Sequence, residues 1–437
     1  MNPRTSVHFP AGTADRIPAT VIDLEVTDRF PDVPGTDPAG RRVERAWLLV
    51  RQFTQPIGAL LLDVPPHGLT GADLAAAVDR EIPPADRPEP GYLTRRAEVL
   101  DDAPHITVVV CTRERPAGLA RTLDSVLAQQ YPRFRVLVVD NAPVSDATVR
   151  VVARAADGGG ATDGGGAVPV DYIREPRPGL SHARNRALRA TVGEIVAWID
   201  DDEEADPHWL AEIARALADH PQADAVTGAI VPAELATDAQ LWFEQYGGHS
   251  KGRGFTPDVF SPATAHRQSP LYPLPPFGAG GNMAFRPGVL ERIGGFDTAL
   301  GAGTPAMGSE DTLALMQVLV GDGTVAYQPS ALVWHHHRSD LAGLRNQLVG
   351  YGTGLTAAYT SLLLREPRLL GPLLRLAPTA LRDTFGGGDG QRLAGLRDDF
   401  PRELVGANRR GLLAGPVAYL RSRMADRRLR RRMRGWP

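Results

Sequence analysis

Three consecutive aspartates, Asp200, Asp201 and Asp202, followed by Glu203 and Glu204, close a short apolar run that begins at Val196. Val196-Ala-Trp-Ile reads as a buried strand, and carboxylates at the carboxyl end of a strand in an open α/β sheet stand where such sheets bind ligands. Crowded acids repel one another unless a cation joins them, and an oxygen-rich set suits Mg²⁺ or Mn²⁺. Residues two apart on an extended segment face the same way, so Asp200 and Asp202 can serve one ion–ligand unit. On its own such a triplet is more often a solvated acidic loop ahead of a helix. Its surroundings decide between the two.

Other polar clusters follow apolar runs in the same manner. Ile106-Thr-Val-Val-Val-Cys111 has the continuous β-branched character of a central parallel strand and leaves into Thr112-Arg113-Glu114. Pro116 suits the first turn of a helix whose apolar stripe is Leu119, Leu123, Val126 and Leu127. Phe134 to Val139 then reads as a second buried strand ending at Asp140-Asn141. Strand, helix and strand within about 35 residues make a βαβ unit, and polar strand exits suit a nucleotide site. Val170-Asp-Tyr-Ile173 predicts a further strand, and Arg177 to Asn185 a loop feeding a helix, with Arg side chains and free N–H groups aimed at the same cleft. A helix is expected from Pro207 to Ala218.

Gly278-Ala-Gly-Gly-Asn282 is a poor strand or helix, but it lets backbone approach a ligand closely. Glu310-Asp311 opens a helical run from Thr312 to Leu319, and Trp334-His335-His336-His337-Arg338 follows a strand at Ala331 to Val333. Each has a plainer reading: a glycine-rich turn, an acidic first helical turn, an incidental histidine run.

Taken in order, Ile106 to Arg113, Val139-Asp140-Asn141, Pro178-Gly-Leu-Ser with Arg184-Asn185, Asp200-Asp-Asp202, Gly280-Gly-Asn282, Gly294-Gly-Phe-Asp297 and Glu310-Asp311 resemble the motifs of family 2 glycosyltransferases with the GT-A fold. The resemblance covers roughly residues 104–340. It implies an inverting hexosyl or deoxyhexosyl transfer from a nucleoside-diphosphate sugar with a divalent cation, Mn²⁺ or Mg²⁺, as cofactor. By the same resemblance Asp202 ligates the metal and His335 completes its shell, with His337 the alternative. Asp200 leans toward the ribose or a metal-bound water. Asp201 is grouped with the donor-binding residues but points elsewhere. Asp140 meets the base, Thr112 and Arg113 line the nucleoside pocket, and Arg184 approaches the nucleotide. Gly281 and Asn282 flank the donor sugar. Asp311 is the expected general base and Glu310 a partner of sugar hydroxyls.

The rest of the chain bounds this reading. Of 437 residues, 43% are hydrophobic and 23% charged, ordinary values for a globular protein. A net charge of -3 gives no reason to expect a nucleic-acid partner. Lys251 stands alone among arginines, and with 46 Gly and 38 Pro this resembles the coding bias of a GC-rich bacterial genome. The single cysteine, Cys111, excludes an internal disulfide and any Cys-clustered metal site. Residues 1–100 read as a small α+β accessory module: a poorly ordered opening, strands at Val21 to Val26, Ala46 to Val50 and Ile57 to Val64, a hairpin through Thr54 to Gly58, and a helix capped by Thr70 with Asp73 near its positive end. Ile82 to Pro90 is a proline-rich linker, and the glycines between Asp157 and Ala167 a flexible insertion. Residues 101–340 hold the transferase domain, a mostly parallel Rossmann-like sheet flanked by helices.

Residues 341–437 read as a helical extension, amphipathic around Leu341, Leu344, Leu348 and Tyr351, whose tail from Arg421 to Arg434 interleaves arginines with Met424, Leu429 and Met433 and ends near Trp436. Such a tail suits an anionic lipid surface; a solvated basic end is the alternative. The N-terminus lacks a signal-peptide profile and no apolar run has bilayer-spanning length, so a cytoplasmic address, peripheral on the inner face of the membrane, is expected. The acceptor is then a hydroxyl of a lipid-linked or cell-surface glycan precursor. A non-catalytic nucleotide-sugar or glycan-binding module and a nucleotidyltransferase remain the alternatives.

Overall fold

The computed structural model describes residues 16–158, 167–249, 253–264, 271, 277–385 and 400–433. The glycine insertion from 159 to 166, the opening before Arg16 and the last residues of the basic tail lie outside them.

The first hundred residues form β1 (Arg16–Ile17), β2 (Thr20–Glu25), β3 (Arg42–Val43), β4 (Arg45–Gln52), β5 (Gln55–Asp63), α1 (Gly71–Glu81) and α2 (Gly91–Asp101). β4 is central, parallel to β2 and antiparallel to β5. The hairpin turn is tighter than the sequence suggests. Only Phe53 and Thr54 separate the strands, both with positive φ (52° and 68°), as a type I′ turn demands. Neither is glycine, but both N–H groups donate to the Glu25 carboxylate at 3.1 and 2.9 Å. Pro56 sits within β5, where an edge strand tolerates it. Thr70 and Asp73 form a reciprocal capping box at α1. The proline-rich stretch holds a short 3₁₀ turn at Pro84–Asp86 and leads into α2, a helix the sequence did not signal.

This module shares its core with the rest of the chain. One face of β2 and β4 (Ile22, Leu24, Leu48, Val50) packs on Leu74 and Val78 of α1. The other face (Val21, Trp47, Leu49) packs on Ala229, Val231, Leu332 and Trp334. Arg51, buried, bridges Asp23 at 2.6 Å within the module and Asp206 at 2.7 Å beyond it.

The central part runs β6 (Ile106–Thr112), α3 (Pro116–Leu127), β7 (Phe134–Asn141), α4 (Ala147–Gly158), β8 (Val170–Glu175), α5 (Leu180–Ala190), β9 (Ile195–Asp200), β10 (Glu203–Ala205), α6 (Trp209–Asp219), β11 (Ala225–Pro232), α7 (Asp238–Gln245), β12 (Asp258–Phe260), β13 (Met283–Phe285), α8 (Val289–Arg292), α9 (Glu310–Val320) and β14 (Val325–His335). Among the described residues these strands form one mixed sheet ordered β10-β14-β11-β13-β9-β6-β7-β8, with β12 also on β14. β9, β6, β7 and β8 are mutually parallel, as are β11 and β14. β13 runs antiparallel between β11 and β9. Alternate side chains serve opposite faces: Val109 and Cys111 join one core with α9, and Val108 and Val110 a second core with α3 and α6. Both faces are covered, which is why the central strands read as unbroken apolar runs.

The chain ends in α10 (Leu341–Arg365), α11 (Leu370–Phe385) and α12 (Arg402–Arg432). α10 and α12 lie side by side in the same direction. Asn408 donates to the Leu348 carbonyl at 3.0 Å near the start, and Tyr419 to Ser361 at 3.1 Å further on. A Cβ at Gly352 or Gly411 would collide with backbone of the other helix, so glycine permits this close contact. Ala357, Leu362 and Tyr419 belong to the main core. The basic tail is helical through Arg432, with Asp426 held by Thr298 at 3.0 Å. No helix among the described residues is long and apolar enough to cross a membrane.

Candidate active site

β9 delivers Asp200 to the edge of the sheet, the chain turns at Asp201 and Asp202, and β10 returns antiparallel to β14. Glu203 therefore faces His335 in register, and Glu204 faces Trp334. The His336 N–H donates to the Asp202 carbonyl at 3.0 Å. This pairing brings two motifs far apart in sequence together: His335 Nε2 lies 3.7 Å from Asp202 Oδ1. β10 was not anticipated, since three residues with two acids carry no strand signal until a partner strand exists.

The three aspartates diverge. Asp202 Oδ2 accepts from Arg115 at 2.8 Å, and Arg338 approaches to 3.9 Å. Burial opposes ionisation of Asp202, but the guanidinium charges of Arg115 and Arg338 hold its pKa below the ordinary value. Asp201 turns inward, accepting from the Thr112 hydroxyl at 2.7 Å and from Arg115 at 2.8 Å. Thr112 and Asp201, both assigned to the donor, thus satisfy each other beneath the turn. Asp200 is pushed up to about 6 by burial, with Arg184 offsetting and Asp202 and Asp201 adding repulsion. Glu203, whose Oε2 accepts the Asp200 N–H at 3.1 Å, is raised well above its ordinary value by burial and by Asp200 and Asp202. Burial likewise lowers His335 to about 3. Carboxylate oxygens with an uncharged imidazole, in surroundings overloaded with negative charge, are a donor set that fits a divalent cation.

Arg184, expected to approach the nucleotide, lies inside the protein, 2% exposed. Its Nη1 donates to Glu310 Oε1 at 3.0 Å, and its Nη2 to Asp200 Oδ1 at 3.3 Å and to the Gly280 carbonyl at 3.1 Å. Trp198 and Phe296 flank the guanidinium. An internal countercharge between carboxylates of β9 and α9 is the role this geometry supports. Glu310, expected at sugar hydroxyls, is buried against Arg184 instead. Asp311, the next residue, is only half-buried and accepts the Gly280 N–H at 2.6 Å. Two non-glycine residues in the left-handed region, Met307 and Ser309, precede the helix and set its entry, a strained arrangement that is frequent at functional sites.

The glycine segment is shaped by acids. A Cβ at Gly280 would crowd Asp311, and one at Gly281 would collide with the Glu203 carboxylate. Gly281 thus makes room for a buried acid. Asn282 is buried in the sheet, donating to the Ala229 and Ala331 carbonyls at 2.8 and 2.7 Å and accepting from the Trp209 indole at 2.8 Å. It ties β11, β14 and α6 together.

At the far side of β6, Asp140 is fully buried. Its Oδ2 accepts from the Tyr172 hydroxyl at 2.8 Å, while its Oδ1 has no hydrogen-bond partner among the described residues. Burial raises its pKa, with Tyr172 offsetting. Asn141 accepts from the Gly179 N–H at 2.9 Å and donates to the Arg177 carbonyl at 2.8 Å, fixing the loop before α5. Arg113 is exposed nearby, its Nη1 about 4 Å from where a Cβ at Gly303 would stand. Tyr172 was not singled out from sequence. It lies in an alternating strand, where its partner depends on a neighbouring strand.

Glu310 gives the site a pH signature. Burial raises its pKa from 4.5 to about 7, with Arg184 offsetting and Asp311 repelling. A carboxyl whose folded pKa is raised binds its proton more tightly folded than unfolded, so stability falls as pH rises from 4.5 toward 7 and levels off above. Glu310→Gln removes this titration. Urea midpoints at pH 5 and pH 8 should show the variant gaining on the wild-type chain at the higher pH. A gain at the lower pH would mean that Arg184 keeps Glu310 ionised throughout.

An acidic turn at the carboxyl edge of a helix-flanked mixed sheet, with the first βαβ unit beside it, defines a GT-A glycosyltransferase fold. Residues 107–294 match the model of glycosyl transferase family 2. Among curated relatives, the glucosyl-dolichyl phosphate glucuronosyltransferase of Haloferax volcanii is 28% identical over 202 residues, covering 45% of this chain and 57% of that protein. The succinoglycan biosynthesis protein ExoM of Rhizobium meliloti is 33% identical over 151 residues, covering 33% and 45%. The chain thus spans about half the length of these relatives. Among solved structures, the mannosyltransferase PcManGT of Pyrobaculum calidifontis, in complex with GDP-Man and Mn²⁺, aligns with 75% of this chain and 93% of that one, at 22% identity and a TM-score of 0.46.

Proposed function

We propose that the chain is an inverting glycosyltransferase that moves a sugar from a nucleoside-diphosphate sugar to a hydroxyl acceptor. One connected network carries this reading: Asp200 to Arg184, Arg184 to the Gly280 carbonyl, and the Gly280 N–H to Asp311. It joins the acidic turn to a half-buried carboxylate that can take a proton. Asp202 and His335 would hold a divalent cation. When bound, the cation supplies Lewis-acid stabilisation of charge on a departing diphosphate. Asp311 accepts the proton of the acceptor hydroxyl as that oxygen attacks the anomeric carbon opposite the leaving group. Asp140, whose buried Oδ1 has no geometric hydrogen-bond partner among the described residues and has the Thr148 hydroxyl as its neighbour, is suited to accept an N–H of the nucleobase.

The acceptor is assigned to a lipid-linked or cell-surface glycan precursor. The Haloferax relative is named for a dolichyl phosphate sugar. Here α11 exposes Leu370, Leu374 and Leu381, and α12 exposes Leu413, Val417, Leu420 and Met424, alongside the arginines of the tail. Apolar and basic side chains on surface helices are the composition that rests on an anionic bilayer.

Calorimetry of UDP-, GDP- and dTDP-sugars with Mn²⁺, on the wild-type chain and on Asp202→Ala, tests the donor site. One donor class binding with metal, and losing that dependence in the variant, is expected. Binding by none, or binding that the substitution leaves unchanged, overturns the assignment. Nucleoside diphosphate as product marks sugar transfer, whereas pyrophosphate would mark nucleotidyl transfer.

A further inference from the structure

Behind His335 lies a line of polar groups that neither the family motifs nor the proposed reaction uses. Glu244 of α7 places Oε1 at 2.8 Å from His337 Nε2. His337 Nδ1 is 2.6 Å from His335 Nδ1. His335 Nε2 then looks toward Asp202 Oδ1 at 3.7 Å. Both imidazoles are buried, and Phe243 packs edge-on against His337 at 4.7 Å while His249 packs on His335 at 4.4 Å. Neither ring can rotate freely in this packing.

Hydrogen-bond parity orders the line. A carboxylate only accepts, so the His337 nitrogen facing Glu244 carries the hydrogen. The 2.6 Å contact between the two Nδ1 atoms holds a single hydrogen, and with the His337 ring hydrogen already on Nε2 that hydrogen belongs to His335, whose Nδ1–H donates to His337 Nδ1. That leaves His335 Nε2 without a hydrogen. A lone pair on nitrogen consequently faces a carboxylate oxygen across a gap too long for a hydrogen bond. Two electron-pair donors facing one another across such a gap are what a cation joins.

We infer that Glu244 and His337 are positioning residues, which fix His335 in the Nδ1–H tautomer and so keep its Nε2 available as a ligand beside Asp202. The inference rests on the proposed metal role of His335 and deepens it. Outer carboxylates that orient a ligating histidine are a general device, and removing one costs about 10–100-fold in metal affinity. Nothing in the local sequence around Glu244 signals the role. It depends on α7 crossing the end of β14.

The test uses the full chain with ¹⁵N-labelled histidine. Long-range ¹H–¹⁵N correlation spectra without metal, assigned with His335→Gln and His337→Gln, report which ring nitrogen of each residue carries hydrogen. The expected result is Nδ1–H for His335 and Nε2–H for His337. A His335 protonated at Nε2 would overturn the inference, whatever the variants do. Mn²⁺ alone is then titrated by electron paramagnetic resonance. Glu244→Leu, which removes the acceptor, should weaken binding about 10–100-fold. Glu244→Gln, whose amide oxygen can still accept, should stay near the wild-type value. If His335→Ala leaves Mn²⁺ binding unchanged, the metal reading itself fails. If His335→Ala loses binding while Glu244→Leu retains it, only the positioning role fails. Should Glu244→Leu not fold, the spectra of the wild-type chain and of Glu244→Gln still decide the tautomer.

Discussion

Asp311→Asn is expected to lower turnover by about 10²–10⁴-fold, the range typical for removing a positioned general base. Asparagine keeps the shape of the side chain. Its carbonyl oxygen can still accept the Gly280 N–H that Asp311 Oδ2 accepts at 2.6 Å, so the glycine segment and the start of α9 keep their geometry. What is lost is the capacity to take a proton. Steady-state kinetics with the donor identified by calorimetry should therefore show a fall in kcat with little change in donor KM. Retention of most of the activity would move the base elsewhere. Glu310 is then the poorer candidate, because its carboxylate is enclosed against Arg184.

The second large effect is structural. Arg184→Met deletes the one guanidinium that Glu310, Asp200 and the Gly280 carbonyl share. Removing one partner of a buried ion pair leaves the other charge uncompensated, a loss of about 3–5 kcal/mol. Urea unfolding should show it as a lower midpoint with an unchanged slope. Pairing Arg184→Met with Glu310→Gln should recover part of the loss, since the stranded charge is then gone. A single variant as stable as the wild-type chain would show that Glu310 is already neutral and that Arg184 contributes packing alone. Cys111, which lies in the same core, adds no charge of its own: burial raises the thiol pKa and keeps it neutral.

The sequence was informative where one residue type has one use. Continuous β-branched runs located β6 and β7 to within a residue, and Thr70 announced the cap of α1. Short strands were opaque. β10 and β13 have three residues each and exist only because β14, β9 and β11 supply partners. The segment Ala225–Pro232 does carry apolar, β-branched character, and β11 was there to be found. At the site, the acidic turn stood out only through the ordered motifs around it, since an aspartate triplet alone reads as an ordinary acidic loop. Thr112, Arg184 and Asn282 were harder. A polar side chain next to a ligand and one buried in a sheet look the same in sequence, and only the neighbouring strands show that Asn282 serves Ala229 and Ala331.

The pairing of β10 with β14 makes chain length between Asp200 and Ala205 as restrictive as the identity of the residues there. Side chains alternate along a strand with a period of two, so a slip by one position sends each to the opposite face. A single residue inserted at the turn would shift Glu203 to the position opposite Trp334, set the residue before it opposite His335, and turn Glu203 away from Gly281, the glycine that leaves room for it. Every letter of the motif would survive while its geometry was lost. In this family segment the spacing of the acids is thus under a constraint of its own, and relatives should vary in the letters of the turn more readily than in its length.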